Sequence, residues 1–166
     1  MLYLITGPAG VGKSTISNLL AASKSKSALV EGDDFYHLVK GGYVSPWKQG
    51  NHLAVYWENV TAVIDNFLRR GFDVVFNAVF FKEDLERLAA RFGGAEIKFV
   101  LLTARPDVIV ARDQARPPDC QMGKRVLILL REFEAERFGD RHILDTSGQS
   151  AEETASEIER GERFRL

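Results

Sequence analysis

Cysteine is nearly absent from this 166-residue chain, with Cys120 standing alone. A single thiol excludes an intramolecular disulfide and leads one to expect a reducing compartment. Histidine is also scarce. Of the three, His37 and His52 show no metal-ligand spacing, so a zinc site is not expected. Neither sign of charge is in excess, with 22 Lys+Arg against 23 Asp+Glu and a net charge of −1. That balance gives no electrostatic case for duplex nucleic acid or a membrane surface as the main partner. No apolar run approaches the ~18 residues of a membrane span. The start, MLYLITGPAG, lacks the basic opening and long apolar middle of a secretion signal. Repeats, low-complexity tracts and Pro/Gly/Ser linkers are missing too. The expectation is a cytoplasmic protein with one domain over residues 1–166.

What is present is ordinary globular composition, 45% hydrophobic and 27% charged. A chain this long should bury roughly 70% of its extended surface, enough for a core without staples. Short apolar runs at Leu2–Thr6, Ala28–Glu31, Asp73–Phe80, Ile97–Thr103 and His142–Thr146 read as strands. Between them, helical patterns are expected at Lys13–Ser23, from Leu53 to a stop at Gly71, at Lys82–Phe92, from Pro106 to about Ala115, at Lys124–Phe138 and at Ala151–Arg160. Residues 35–50, with Gly41, Gly42, Pro46 and Gly50, read as irregular. Five strand–helix repeats with strands this apolar imply an α/β fold, a parallel sheet between helical layers.

Residues 7–15 read GPAGVGKST: Gly7, Pro8, Ala9, Gly10, Val11, Gly12, Lys13, Ser14 and Thr15. They satisfy G-x-x-x-x-G-K-[ST]. Glycines let the backbone wrap closely enough for successive N–H groups to point at phosphate oxygens. A helix opening at Lys13 adds its positive N-terminal end. Lys13 would reach the β- and γ-phosphates, and the Ser14 hydroxyl would ligate Mg²⁺. The alternative is a glycine turn that happens to precede a helix, and chance supplies this pattern about once per hundred chains of this length. The flanking strand and helix reduce that further. The segment is a nucleoside-triphosphate site, with ATP and Mg²⁺ as the cofactors to expect. No asparagine is followed by the lysine of the guanine-reading N-K-x-D motif, so a GTPase is not expected.

With GPAGVGKST at 7–15, LVEGDDF at 29–35, VIVARDQARPP at 108–118 and ILDTSGQSAEET at 143–154, the whole chain resembles the shikimate/gluconate kinase-like family of P-loop phosphotransferases, related to chloramphenicol phosphotransferase and zeta-toxin-type kinases. The resemblance implies a three-layer α/β/α sandwich with a five-stranded parallel sheet in the order 2-3-1-4-5. It implies that Asp33 accepts the acceptor hydroxyl's proton or holds Mg²⁺ through water, with Asp34 the neighbouring alternative for catalysis or acceptor binding. The plainer reading is that both acids cap a helix starting near Phe35. Arg112 falls where the family stacks an arginine on adenine, Arg116 where a lid arginine meets phosphates, and Ser147 in the loop that borders the base. From Arg105 to Arg131, six basic residues face three acidic ones, and a lid is expected at about 116–124. The plainer reading of Arg112 and Arg116 is a solvated helix face.

The chain also departs from shikimate kinases. Asn77-Ala78-Val79 replaces their glycine triplet after the third strand, and arginines that would clamp a carboxylate are missing from the first half. No acidic residue ends the third strand, which leaves magnesium to Ser14 and Asp33. The acceptor region is expected at about 34–57, where Asp34, Tyr36, His37 and Trp47, with Asn77 opposite, are the candidate contacts. Tyr56 lies on the buried stripe of its helix and reads as core. The function expected is transfer of the γ-phosphate of ATP to a hydroxyl of a small molecule (a gluconate-like sugar, a nucleotide sugar or an antibiotic) by a monomer or homodimer. The alternatives are a regulatory NTPase without such an acceptor, or a polynucleotide 5′-kinase.

Overall fold

The computed structural model describes all residues, 1–166. Strands β1 (Leu2–Thr6), β2 (Ser27–Glu31), β3 (Asp73–Asn77), β4 (Ile97–Thr103) and β5 (Ile143–Asp145) form one parallel sheet in the order β2-β3-β1-β4-β5. Helices α1 (Lys13–Ala22), α2 (Gly32–Tyr36), α3 (Leu53–Leu68), α4 (Lys82–Phe92), α5 (Pro106–Gln114), α6 (Arg125–Ala135) and α7 (Ala151–Arg160) connect and follow them. This is the P-loop NTPase arrangement. Side chains alternate across the sheet as strand geometry requires. Leu2 and Leu4 join Val60, Ile64, Phe76 and Phe99 on one face, while Tyr3 and Ile5 join Ile16, Leu20, Leu102 and Ile158 on the other.

Several element boundaries differ from the sequence expectations, each for a physical reason. The third strand ends at Asn77 rather than Phe80, because the Phe80 backbone pairs with a side chain. Thr6 Oγ1 donates to the Phe80 carbonyl (2.9 Å) and accepts from the Phe80 amide (3.1 Å). The helix expected to start near Phe35 starts at Gly32, so Asp33 and Asp34 occupy its first turn, where carboxylates meet the positive helix end. The helix expected over Lys124–Phe138 ends at Ala135, with Glu136 extended. The last six residues are ordered: Phe164 is fully buried, and Arg165 bridges to Lys98 at the sheet edge.

The strand order sets the site. The chain leaves β1 for the β2–β3 side and later returns to β4, so the reversal falls at the C-terminal end of β1, where ligands of open α/β sheets bind.

Candidate functional site

Between β1 and α1 the backbone turns through three glycines with positive φ, at 7, 10 and 12. At Gly7 (φ 141°) any Cβ would run into the Leu102 carbonyl oxygen of β4. The loop therefore packs against the sheet at a distance only glycine permits. Gly12 caps α1 without a side-chain hydrogen bond, so the first-turn amides of this ten-residue helix remain available to an anion.

Lys13 folds back over this loop, its ammonium donating to the carbonyls of Gly7 (2.8 Å) and Pro8 (3.0 Å). Burial lowers its pKa to about 8; the nearby Asp33 carboxylate works against that shift and Arg116 adds to it. Asp33 and Arg116 come from distant parts of the chain, yet both lie close enough to act on the Lys13 charge.

All three line a cleft of about 1370 Å³ at the C-terminal end of the sheet. Its floor is the loop from Ala9 to Ile16, including the exposed hydroxyls of Ser14 and Thr15. On one side Arg112 donates to the Thr146 hydroxyl (2.9 Å) and carbonyl (3.0 Å) and to the Val11 carbonyl (3.4 Å). The guanidinium is thus fixed against the loop by neutral groups alone. Arg116 reaches the Cys120 carbonyl (3.3 Å) and lies 3.9 Å from Asp113. The buried Asp113 carboxylate accepts from the Met122 and Gly123 amides (3.1 and 2.9 Å). Gln121 donates to the Gln114 and Arg116 carbonyls. Residues 116–124 are therefore a loop tied at both ends, with a short 3-10 turn at Pro118–Cys120.

The other side is aromatic. The Tyr36 hydroxyl donates to the Val44 carbonyl (2.7 Å) and accepts from the His52 amide. His37 stacks on Tyr43 with ring centroids 5.7 Å apart. Trp47, 56% exposed, lies under the Arg125 guanidinium at 4.8 Å. Asn51 bonds the Pro46 and Lys48 carbonyls, so the loop before α3 is held by its own side chains. Asn77 donates to Glu31 (3.4 Å), tying the ends of β2 and β3 together.

Ser14 and Asp33 offer hard oxygen donors on the same cleft. No three His, Cys, Asp or Glu side chains are placed to hold a metal ion together, there or elsewhere. Such a sparse donor set fits magnesium, which keeps waters and takes its remaining ligands from phosphate oxygens.

A family model described as an AAA domain matches residues 2–132. The chain belongs to that family. Within it, this AAA domain shares its fold with several solved proteins. One is the tunicamycin resistance protein of Deinococcus radiodurans, at 20% identity and TM-score 0.68 over 95% of this chain and 92% of that one. A sugar kinase from Janibacter sp. is 21% identical at TM-score 0.67, covering 98% and 92%. The APS kinase CysC of Mycobacterium tuberculosis, solved with AMPPNP and APS, is 20% identical at TM-score 0.67, covering 95% and 94%. No curated protein matches the sequence. These neighbours share the P-loop fold with this chain. In this AAA domain no helix is long and apolar enough to cross a membrane.

Among the residues singled out from the sequence, Lys13, Ser14, Asp33, Tyr36, His37, Trp47, Asn77, Arg112 and Arg116 line the cleft together with the loop from Ala9 to Thr15. Gly7 and Pro8 contribute carbonyls from beneath it. Asp34 is exposed and outside the lining. Ser147 is half-buried and also outside the lining; its hydroxyl accepts from the Arg105 amide (2.7 Å) and donates to Asp145, and Thr146 and Gln149 line the cleft beside it. Sequence reasoning missed the wall made by Asp84 and Arg87 of α4 and by Glu132 of α6, beside Arg125, one of the six basic residues counted between Arg105 and Arg131. The start of α4 follows the C-terminal end of β3, so its position relative to the sheet was the available signal.

Proposed function

We propose that this protein is a phosphotransferase that moves the γ-phosphate of ATP, with Mg²⁺, onto a hydroxyl of a small molecule such as a gluconate-like sugar, a nucleotide sugar or an antibiotic. The convergence of Lys13, Asp33 and Arg116 on one cleft carries the reading. The loop amides and the start of α1 cradle the phosphates. The Lys13 ammonium exchanges its two carbonyl partners for β- and γ-phosphate oxygens, and Arg112 borders the nucleotide. Asp33 accepts the acceptor's proton as that oxygen attacks the γ-phosphorus and the bond to the β-phosphate bridge breaks. Arg116 offsets the charge that develops on the transferring group. Ser14 would hold magnesium directly and Asp33 would hold it through water, and the ion would supply screening of the phosphate charge.

The test is transfer of label from γ-labelled Mg·ATP to gluconate, shikimate, neutral sugars, nucleosides, nucleotide sugars, aminoglycosides and phenicols, with phosphate release followed alongside. Label on one compound, lost in Lys13→Ala, supports the reading. Phosphate release with no labelled compound overturns it in favour of a regulatory NTPase.

A further inference from the structure

Three tyrosines stand on the acceptor wall, and their hydroxyls are used differently. That of Tyr36 is engaged twice by backbone groups, and that of Tyr43 meets His37 Nε2 at 3.4 Å. Tyr56 is 7% exposed and its ring belongs to the core, among Val60, Ile64 and Phe76. Its hydroxyl hydrogen-bonds to no protein group. It also does not count among the fully enclosed polar atoms without a partner, which are only Ser17 Oγ and Arg125 Nε. The ring is buried and the oxygen opens onto the cleft. Buried tyrosine hydroxyls ordinarily pair with the protein, so one that opens onto a cleft without a protein partner is a donor that a ligand can use.

Its position is built into the backbone. A Cβ at residue 32 would collide with the Tyr56 hydroxyl and lie 2.6 Å from the Ala78 Cβ. Glycine at 32 therefore leaves the room that brings this oxygen against the start of α2, one residue from Asp33. Both Asp33 and Asp84 lie within electrostatic reach of the phenol. With burial the larger cause, they push its pKa well above the usual phenol value, so it remains a donor throughout the physiological range. Asp33, which follows the glycine against which the hydroxyl rests, and Asp84 on the same cleft also disfavour an anionic group at this point. The oxygen that accepts here is therefore uncharged.

We infer that Tyr56 is a specificity-determining contact, donating a hydrogen bond to a second, uncharged oxygen of the acceptor close to the hydroxyl that Asp33 faces. The acceptor class is then a polyol or a hydroxycarbonyl compound, not a lone alcohol. This rests on the kinase reading above. The fold fixes the distance between the two grips, so an acceptor whose reacting hydroxyl has no neighbouring oxygen leaves the phenol unpaired and binds less well.

The experiment compares wild type and Tyr56→Phe with whichever panel compound takes label, and with its deoxy analogue lacking the neighbouring oxygen. Phenylalanine keeps the ring in the core, and the KM for ATP reports whether the nucleotide half is intact. The expected result is an acceptor KM raised on the order of 10- to 100-fold in Tyr56→Phe. The KM for ATP should stay within about twofold, and the deoxy analogue should be used equally poorly by both proteins. Equal acceptor KM values in wild type and variant, or a loss that the deoxy analogue suffers just as fully, would overturn the role of Tyr56 and leave the kinase reading standing. If no compound takes label from wild type, the kinase reading falls and this inference falls with it.

Discussion

Lys13 carries its ammonium in an environment that disfavours the charge, and binding a triphosphate should reverse that. Burial brings its pKa down to about 8 from 10.5. Oxygens of a bound triphosphate would stabilise the cation and return it to its ordinary range. The free protein has then lost protons that the complex takes back. With those two values, Mg·ATP binding should take up about half a proton at pH 8, about nine-tenths at pH 9 and about a tenth at pH 7. Calorimetric titration at each pH, in two buffers of different ionisation enthalpy, reads the uptake as a slope. Lys13→Met should remove it. No uptake at pH 8, or the same uptake in Lys13→Met, would refute the reasoning. Stability carries the same signature with a fixed sign. The folded pKa lies below the unfolded one, so between about pH 8 and 10.5 the unfolded chain binds more protons. The cost is present in full below pH 8 and is relieved as pH rises through that window. The denaturant midpoint of wild type relative to Lys13→Met should therefore climb between pH 8 and 10.

Asp33→Asn should retain ATP binding and lose about 10²- to 10⁴-fold in transfer, whereas Asp34→Asn should stay close to wild type; steady-state kinetics showing the reverse would move the base by one residue. Gly32→Ala forces a methyl against Ala78 and the Tyr56 hydroxyl, so a loss of about 1–3 kcal/mol is expected in urea unfolding, together with a raised acceptor KM. Phe164→Ala empties a fully buried site near the end of the chain. It should cost about 3–5 kcal/mol in chemical unfolding, and an unchanged midpoint would show that the tail contributes nothing to the core.

The sheet and the phosphate loop were readable because each is contiguous in sequence. Apolar strands covered on both faces and nine residues of fixed spacing leave few alternatives. The strand that stops at Asn77 was misread because Thr6, far away in sequence, supplies the hydrogen bonds that take Phe80 out of the ladder. The acceptor wall was harder for the same reason. Asp84, Arg87, Arg125 and Glu132 sit on helices whose periodicity explains them as surface, and only the strand order brings them round to Asp33. Tyr56 shows a further limit. Periodicity correctly places its ring in the core, yet carries no information about where the hydroxyl at the end of that ring emerges.

Charge is distributed unequally along the cleft, and the inequality bears on what the two halves can hold. At the phosphate end, Lys13 and Arg112 hydrogen-bond only to carbonyls and a hydroxyl, and Arg116 has a carboxylate no nearer than 3.9 Å. Lys13 and Arg112 therefore have no direct ion-pair partner until an anion arrives, whereas Arg116 is as far from Asp113 as Arg125 is from Glu132. At the other end Arg87 pairs with Glu83 and lies 3.8 Å from Asp84, while Arg125 is shared between Trp47 and Glu132. Few free cations remain there to recognise a carboxylate or phosphate. Under the proposed kinase reading, this distribution favours an anionic donor at one end and a neutral, oxygen-rich acceptor at the other. The phosphate half is held largely by backbone groups and the acceptor half by side chains from α2, α3, α4, α6 and the loop before α3. On that reading, substitutions among those side chains should change the acceptor while leaving the phosphate contacts in place.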